Sequence, residues 1–149
     1  MSYDDLKVGR RSLPGHAYFV TIVTFKRKPL FSDLYLARCV IREMRRMHGE
    51  GDLDSMAWVL MPDHLHWLFQ LGDRCDLGNV IARFKGVSAR RLNQHLGMGG
   101  HIWQRGFYDR AIRANEDPIT VARYMVGNPL RAGLVDSIED YPHWDARWL

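Results

Sequence analysis

The chain has 149 residues, 46% hydrophobic and 26% charged, with a net charge of +4 and an isoelectric point near 9.3. That length is enough for one domain, 1–149, with a core of its own, and no apolar run approaches the roughly 18 residues that a membrane span needs. Cys39 and Cys75 lie far apart without a CxxC partner, which argues against a disulfide framework or a structural zinc site.

The first residues, Met1-Ser2-Tyr3-Asp4-Asp5, lack the basic-then-apolar pattern of a signal peptide, so a cytoplasmic protein without a membrane partner is expected. Tyr18 to Phe25 is rich in β-branched and aromatic residues and predicts a central strand, ended by Lys26 to Pro29. From Asp33, the apolar positions Leu34, Ala37, Val40, Ile41, Met44 and Met47 predict a helix closed by Gly49 and Gly51. A second strand near Ser55 to Met61 and a third from His64 to Leu71 are joined by Pro62-Asp63, too short a link for anything but an antiparallel hairpin. On the third strand Leu65, Trp67, Phe69 and Leu71 share the core face. His64, His66, Leu68 and Gln70 share the other, which is expected to look toward something polar.

Leu77 to Leu96 reads as a second helix, weakened by Gly86 and ended by the glycines around Met98. A turn and a short strand come next, within Ile102 to Arg113. Asn115 or Asp117 then caps a third helix with Pro118 in its first turn, running to about Gly127 or Asn128, with Pro129 following the break. The aromatic tail from Tyr141 is expected to pack back on the body. This order predicts an α+β fold, an antiparallel sheet with helices packed on it in a ferredoxin-like split β-α-β arrangement.

Two histidines one residue apart on a strand present their imidazoles side by side, half of a divalent-metal site, although an HxH pair also occurs in strands as mere packing. Tyr124 and Asn128 are four apart on the third helix and so share a face. If that face lies over the histidines, Asn128 can offer an oxygen, a donor set that suits Mg²⁺ or Mn²⁺ better than tetrahedral zinc. Tyr124 would then stand ready to attack a phosphodiester, with Tyr108 as the rival nucleophile. Basic residues gather at Lys7-Arg10-Arg11, Lys26-Arg27-Lys28, Arg42-Arg45-Arg46, Arg83-Lys85-Arg90-Arg91 and Arg105-Arg110-Arg113, as a phosphate-tracking surface or as solvated faces. From these, Arg11, Arg83, Lys85, Arg90, Arg105 and Arg113 are the candidate DNA contacts.

The run Met61-Pro62-Asp63-His64-Leu65-His66, then Trp103-Gln104 with Phe107-Tyr108-Asp109, then Tyr124 through Asn128-Pro129-Leu130-Arg131-Ala132-Gly133 resembles the REP-associated tyrosine transposases of the HUH endonuclease superfamily. The resemblance implies that His64 and His66 bind the metal with Asn128, and that Tyr124 is the nucleophile. It also implies cleavage of single-stranded DNA at hairpin-forming palindromic repeats through a 5′-phosphotyrosine, by a nucleoid-associated monomer or homodimer. Relatives often carry a histidine where this chain has Tyr108 or Arg110, a departure that leaves the metal pair and the nucleophile untouched. A repeat-hairpin binder without activity, and a phosphodiesterase using water, are the alternatives.

Overall fold

A computed structural model describes Leu13 and residues 15–148. Five strands, β1 (Ala17–Val23), β2 (Leu53–Met61), β3 (His64–Leu71), β4 (Tyr108–Ala111) and β5 (Trp144–Ala146), form one sheet in the order β4-β1-β3-β2-β5. Every pairing is antiparallel. The helices are α1 (Leu34–Glu50), α2 (Leu77–Leu96), α3 (Pro118–Val126) and the single turn α4 (Asn128–Arg131).

Because β3 pairs antiparallel with both β1 and β2, those two strands run parallel with β3 inserted between them. The β1–α1–β2 crossover is thus the split unit that the sequence predicts. Local chemistry sets its ends. Asp33 caps α1 by accepting from the amides of Tyr35 and Leu36, and Gly51 closes it in the left-handed conformation (φ 82°) that glycine adopts without a Cβ clash. Asp117, of the two candidate caps, accepts from the Ile119 amide at the start of α3.

The sheet separates two cores. On one face Val20, Ile22, Leu65, Trp67, Phe69 and Leu71 pack against Val40, Met44 and Met47 of α1 and Val80, Ile81 and Phe84 of α2. On the other, Ala57, Val59, Met61 and Leu68 pack under Ala122, Met125 and Val126 of α3, with Tyr141 and Ala146 of the tail. A register shift between Ser55 and Ala57 lets β2 serve both, since Ser55 opposes Phe69 while Ala57 opposes Leu68.

One expectation changes and two gain detail. The face bearing His64 and His66 is not polar along its length, because Leu68 anchors the second core. The third helix ends at Val126 with Gly127 as its C-cap, close to the expected end, and Pro129 follows that break in the first turn of α4, where its missing N–H and fixed φ cost nothing. The tail does pack back, and it does so as the edge strand β5. There the Tyr141 hydroxyl donates to the Leu60 carbonyl at 2.5 Å.

Candidate active site

The hairpin end of β2–β3 is pinned by its neighbours. The Thr24 amide and hydroxyl both donate to the Asp63 carbonyl at 3.0 Å, and the Phe31 amide donates to the Pro62 carbonyl. Thr24 lies just after β1 and is fully buried. Beyond it, Lys26 and Arg27 both have positive φ (56° and 55°), a conformation that L-residues with long side chains rarely hold. The strained turn brings Arg27 to Asp63, at 3.3 Å.

Asp63 in turn holds His64. Its Oδ1 lies 2.7 Å from His64 Nδ1, while Thr21 Oγ1 lies 2.9 Å from His66 Nδ1. With Nδ1–H donating to these oxygens, the Nε2 lone pair of each ring is left for another partner. This is the outer-shell arrangement that orients metal-binding histidines. The rings meet edge to face, with centroids 4.7 Å apart. Burial, then the charges of His64, Arg131 and Arg27, push the His66 pKa down to about 4, which keeps its imidazole neutral. Burial pulls the Asp63 carboxyl upward, but the hydrogen bonds and charges of His64 and Arg27 outweigh it and hold it below its usual value.

This donor chemistry fits a divalent cation: two oriented nitrogens, one of them held neutral, on one sheet face. Among the described residues no cluster of three His, Cys, Asp or Glu forms a complete cage. Any cation held here would take its remaining ligands from an amide, water or substrate oxygen, as suits Mg²⁺ or Mn²⁺.

The helix bearing Tyr124 lies over this same face. Met125, Val126 and Ala122 anchor α3, while Tyr124, at 69% exposure, is directed away from the core. Arg131 organises the end of this helix. Its guanidinium sits 4.0 Å from the centre of the Tyr124 ring, donates to the Tyr124 carbonyl at 2.5 Å, and donates to Asn128 Oδ1 at 3.0 Å. The Asn128 oxygen is thus already engaged by a cation. Tyr108, the rival tyrosine, is also exposed; it lies opposite Thr21 on β4, and Thr21 lies opposite His66. Both tyrosines therefore flank the histidine face.

The basic candidates scatter. Arg83 pairs with the buried Asp52 at 3.2 Å, just before β2, at the far end of the hairpin from His64. Lys85 donates to the carbonyls of Gln104 (2.7 Å) and Gly106 (2.8 Å), and burial pushes its pKa down to about 8. Its ammonium ties the segment leading to β4 onto α2. Arg90, Arg105 and Arg113 are exposed, and Arg11 lies outside the described residues. Of the aromatics near Arg105, Trp103 is buried and donates to Ser88 Oγ at 2.9 Å.

Sequence reasoning passed over the residues that orient the pair. Thr21 was legible only as a strand residue, and Asp63 only as a turn. Arg131 and Arg27 sat inside longer motifs, with nothing local to mark their contacts.

The chain belongs to the IS200-like transposase family, whose model matches residues 12–128. It is 29% identical over 143 residues to a Haemophilus influenzae protein named among the REP-associated tyrosine transposases, covering 87% of this chain and 78% of that one. It is 26% identical over 135 residues to the REP-associated tyrosine transposase of Escherichia coli K12, covering 89% and 78%. In fold it is similar to a REP-associated tyrosine transposase solved with a REP hairpin, with a TM-score of 0.74, 23% identity and coverage of 97% and 82%. No helix among the described residues is long and apolar enough to cross a membrane.

Proposed function

We propose that this chain is a metal-dependent endonuclease and strand transferase that acts on single-stranded DNA beside a palindromic hairpin. The observation that carries the reading is the pair His64 and His66, each oriented through Nδ1, on the sheet face over which α3, the helix bearing Tyr124, is packed. The substrate class is taken from relatives named as REP-associated and from the similar fold solved bound to a REP hairpin.

In this reading Tyr124 Oη attacks the phosphorus. The bond from phosphorus to the 3′ oxygen breaks, a 5′-phosphotyrosine forms, and the 3′ oxygen leaves as an alcohol after taking a proton. The phenolic proton passes to solvent. Attack of a 3′-hydroxyl on the phosphotyrosine reverses the step and rejoins a strand. His64 and His66 would hold Mg²⁺ or Mn²⁺, which supplies charge stabilisation to the phosphoryl oxygens.

Arg131 masks the Tyr124 ring and Asn128 Oδ1 in the resting site. Its guanidinium suits a phosphate better than an amide, because two N–H groups can meet two oxygens. An arriving phosphodiester therefore competes for Arg131, and this frees Asn128 and the phenol together. Arg27, beside Asp63, is a second cation at the same edge.

The test is a denaturing gel after incubation with Mn²⁺ and a labelled single-stranded hairpin oligonucleotide. A covalent protein–DNA band that disappears with EDTA and in Tyr124→Phe, but persists in Tyr108→Phe, is expected. Tight binding with no band would make the chain a binder, and cut DNA without a band would make water the nucleophile.

A further inference from the structure

The helical layer on the opposite side of the sheet carries a groove that this chemistry does not use. Between the outer faces of α1 and α2 lies a cleft of about 370 Å³ lined by Cys39, Arg42, Arg91, Gln94 and His95. The spacing explains it. Tyr35, Cys39 and Arg42 stand at i, i+4 and i+7 on α1, and Arg91, Gln94 and His95 at i, i+3 and i+4 on α2, so each set forms one stripe.

Among the described residues, no carboxylate pairs with Arg42 or Arg91. The acids of α1 are committed elsewhere: Glu43 and Glu50 both bind Arg46, and Asp33 caps the helix. Among the described residues the groove therefore holds two guanidinium groups, an amide and an imidazole without a carboxylate partner. At its end Tyr35, 67% exposed, stacks on His95 with centroids 5.6 Å apart, so one ring face is left to solvent.

Unpaired guanidinium groups favour phosphate, and an exposed aromatic ring favours a base. Tyr35 and Arg42 are seven residues apart, about 10 Å along a helix, which is more than one phosphate spans. We propose that the α1–α2 groove is a second nucleic-acid site, holding single-stranded DNA with phosphates on Arg42 and Arg91 and a base on Tyr35. The proposal rests on the reading of the chain as a DNA-processing enzyme. It gives that enzyme a grip on the strand away from the reacting phosphate, on the sheet face opposite His64 and His66.

Cys39, half-buried in the groove, is a built-in reporter. In the full-length Cys75→Ser protein, maleimide labelling of Cys39 is measured with and without a twenty-nucleotide oligo-dT that forms no hairpin. The oligonucleotide is expected to slow labelling at least fivefold. In Arg42→Gln/Arg91→Gln, oligo-dT affinity by fluorescence anisotropy is expected to fall about tenfold, with a salt slope smaller by about two phosphate contacts. Tyr35→Ala should weaken binding severalfold.

Unchanged labelling in the presence of saturating oligo-dT overturns the proposal. So does equal protection by millimolar phosphate or dTMP, which would make the groove a small-anion site, or protection that grows with protein concentration alone, which would make it an interface between copies. The covalent-adduct gel separates the two readings. Adduct without Cys39 protection sinks the groove alone, whereas Cys39 protection without adduct sinks the nuclease reading and leaves a nucleic-acid groove.

Discussion

Along β3, successive side chains serve two faces built to different specifications. Leu65, Trp67 and Phe69 face α1 and α2 and are wholly enclosed, with Phe84, Met44 and Met47 filling the space between. His64 and His66 face the other way, where one short helix covers only part of the sheet and polar partners replace packing. The first face holds the strand in place. The second can then carry the neutral His66 imidazole, exposed tyrosines and an exposed arginine without threatening the fold. Substitutions on the two faces should consequently separate stability from chemistry.

The largest separation is expected from Tyr124→Phe. Loss of the phenolic oxygen should abolish the covalent DNA adduct on a denaturing gel, while the melting temperature stays with wild type because the ring is exposed and makes no hydroxyl contact in the core. Trp67→Ala is its mirror image. Removing a fully buried indole that donates to Ser55 Oγ at 3.0 Å should cost about 3–5 kcal/mol and lower the melting temperature by on the order of 10 °C. A Trp67→Ala protein that melts with wild type would erase the distinction between the faces.

Lys85→Ala should fall between. The substitution leaves the carbonyls of Gln104 and Gly106 without their shared donor, for a loss of about 1–3 kcal/mol by urea denaturation. The salt dependence of DNA binding should not change, whereas a phosphate-contacting lysine would reduce the slope by about one contact. From sequence, Lys85 is indistinguishable from its basic neighbours on α2. Only the fold shows its ammonium turned onto the chain.

That contrast marks what sequence could and could not carry. The alternation Leu65, Trp67, Phe69 against His64, His66 and the apolar stripes of α1 and α2 depend on residues within a few positions of each other, so periodicity exposed them. The split β-α-β order came from a link of only Pro62-Asp63. The orienting contacts to the histidines depend on pairings across long separations, such as Thr21 with His66, and no local pattern encodes those. The second core under α3 was hidden for the same reason, because it draws one residue, Leu68, from a run otherwise read as polar-facing. Arg131 is an intermediate case. It lies three residues after Asn128, so its reach to that side chain is a helix-neighbour contact, but its stacking on Tyr124 requires helical backbone to continue through Pro129.

The His66 environment predicts a pH effect confined to the chemical face. With the folded pKa near 4 and the unfolded value near 6.5, the unfolded chain binds more protons between these limits. Stability is therefore complete above pH 6.5, falls as pH is lowered toward 4, and flattens below. Chemical denaturation at a series of pH values should show this slope, and His66→Gln should remove most of it without changing the neutral-pH stability by more than about 1 kcal/mol. A slope that survives the substitution would place the titrating group elsewhere, with the buried His143 as the next candidate because burial also lowers its pKa.

The smallest effect tests the mask on the nucleophile. Arg131 repels any cation held by His66, and it also occupies Asn128 Oδ1. Arg131→Ala removes both obstacles, so Mn²⁺ affinity without DNA, read by electron paramagnetic resonance, should rise a fewfold, a gain on the order of 1 kcal/mol. Stability should barely move, since an exposed cation–π contact contributes only about 0.5–1 kcal/mol. Adduct formation should nevertheless slow, because the phosphate loses the guanidinium that exchanges Tyr124 for substrate. Tighter metal with slower chemistry is an outcome that a merely structural arginine cannot produce: losing a packing residue would loosen both together.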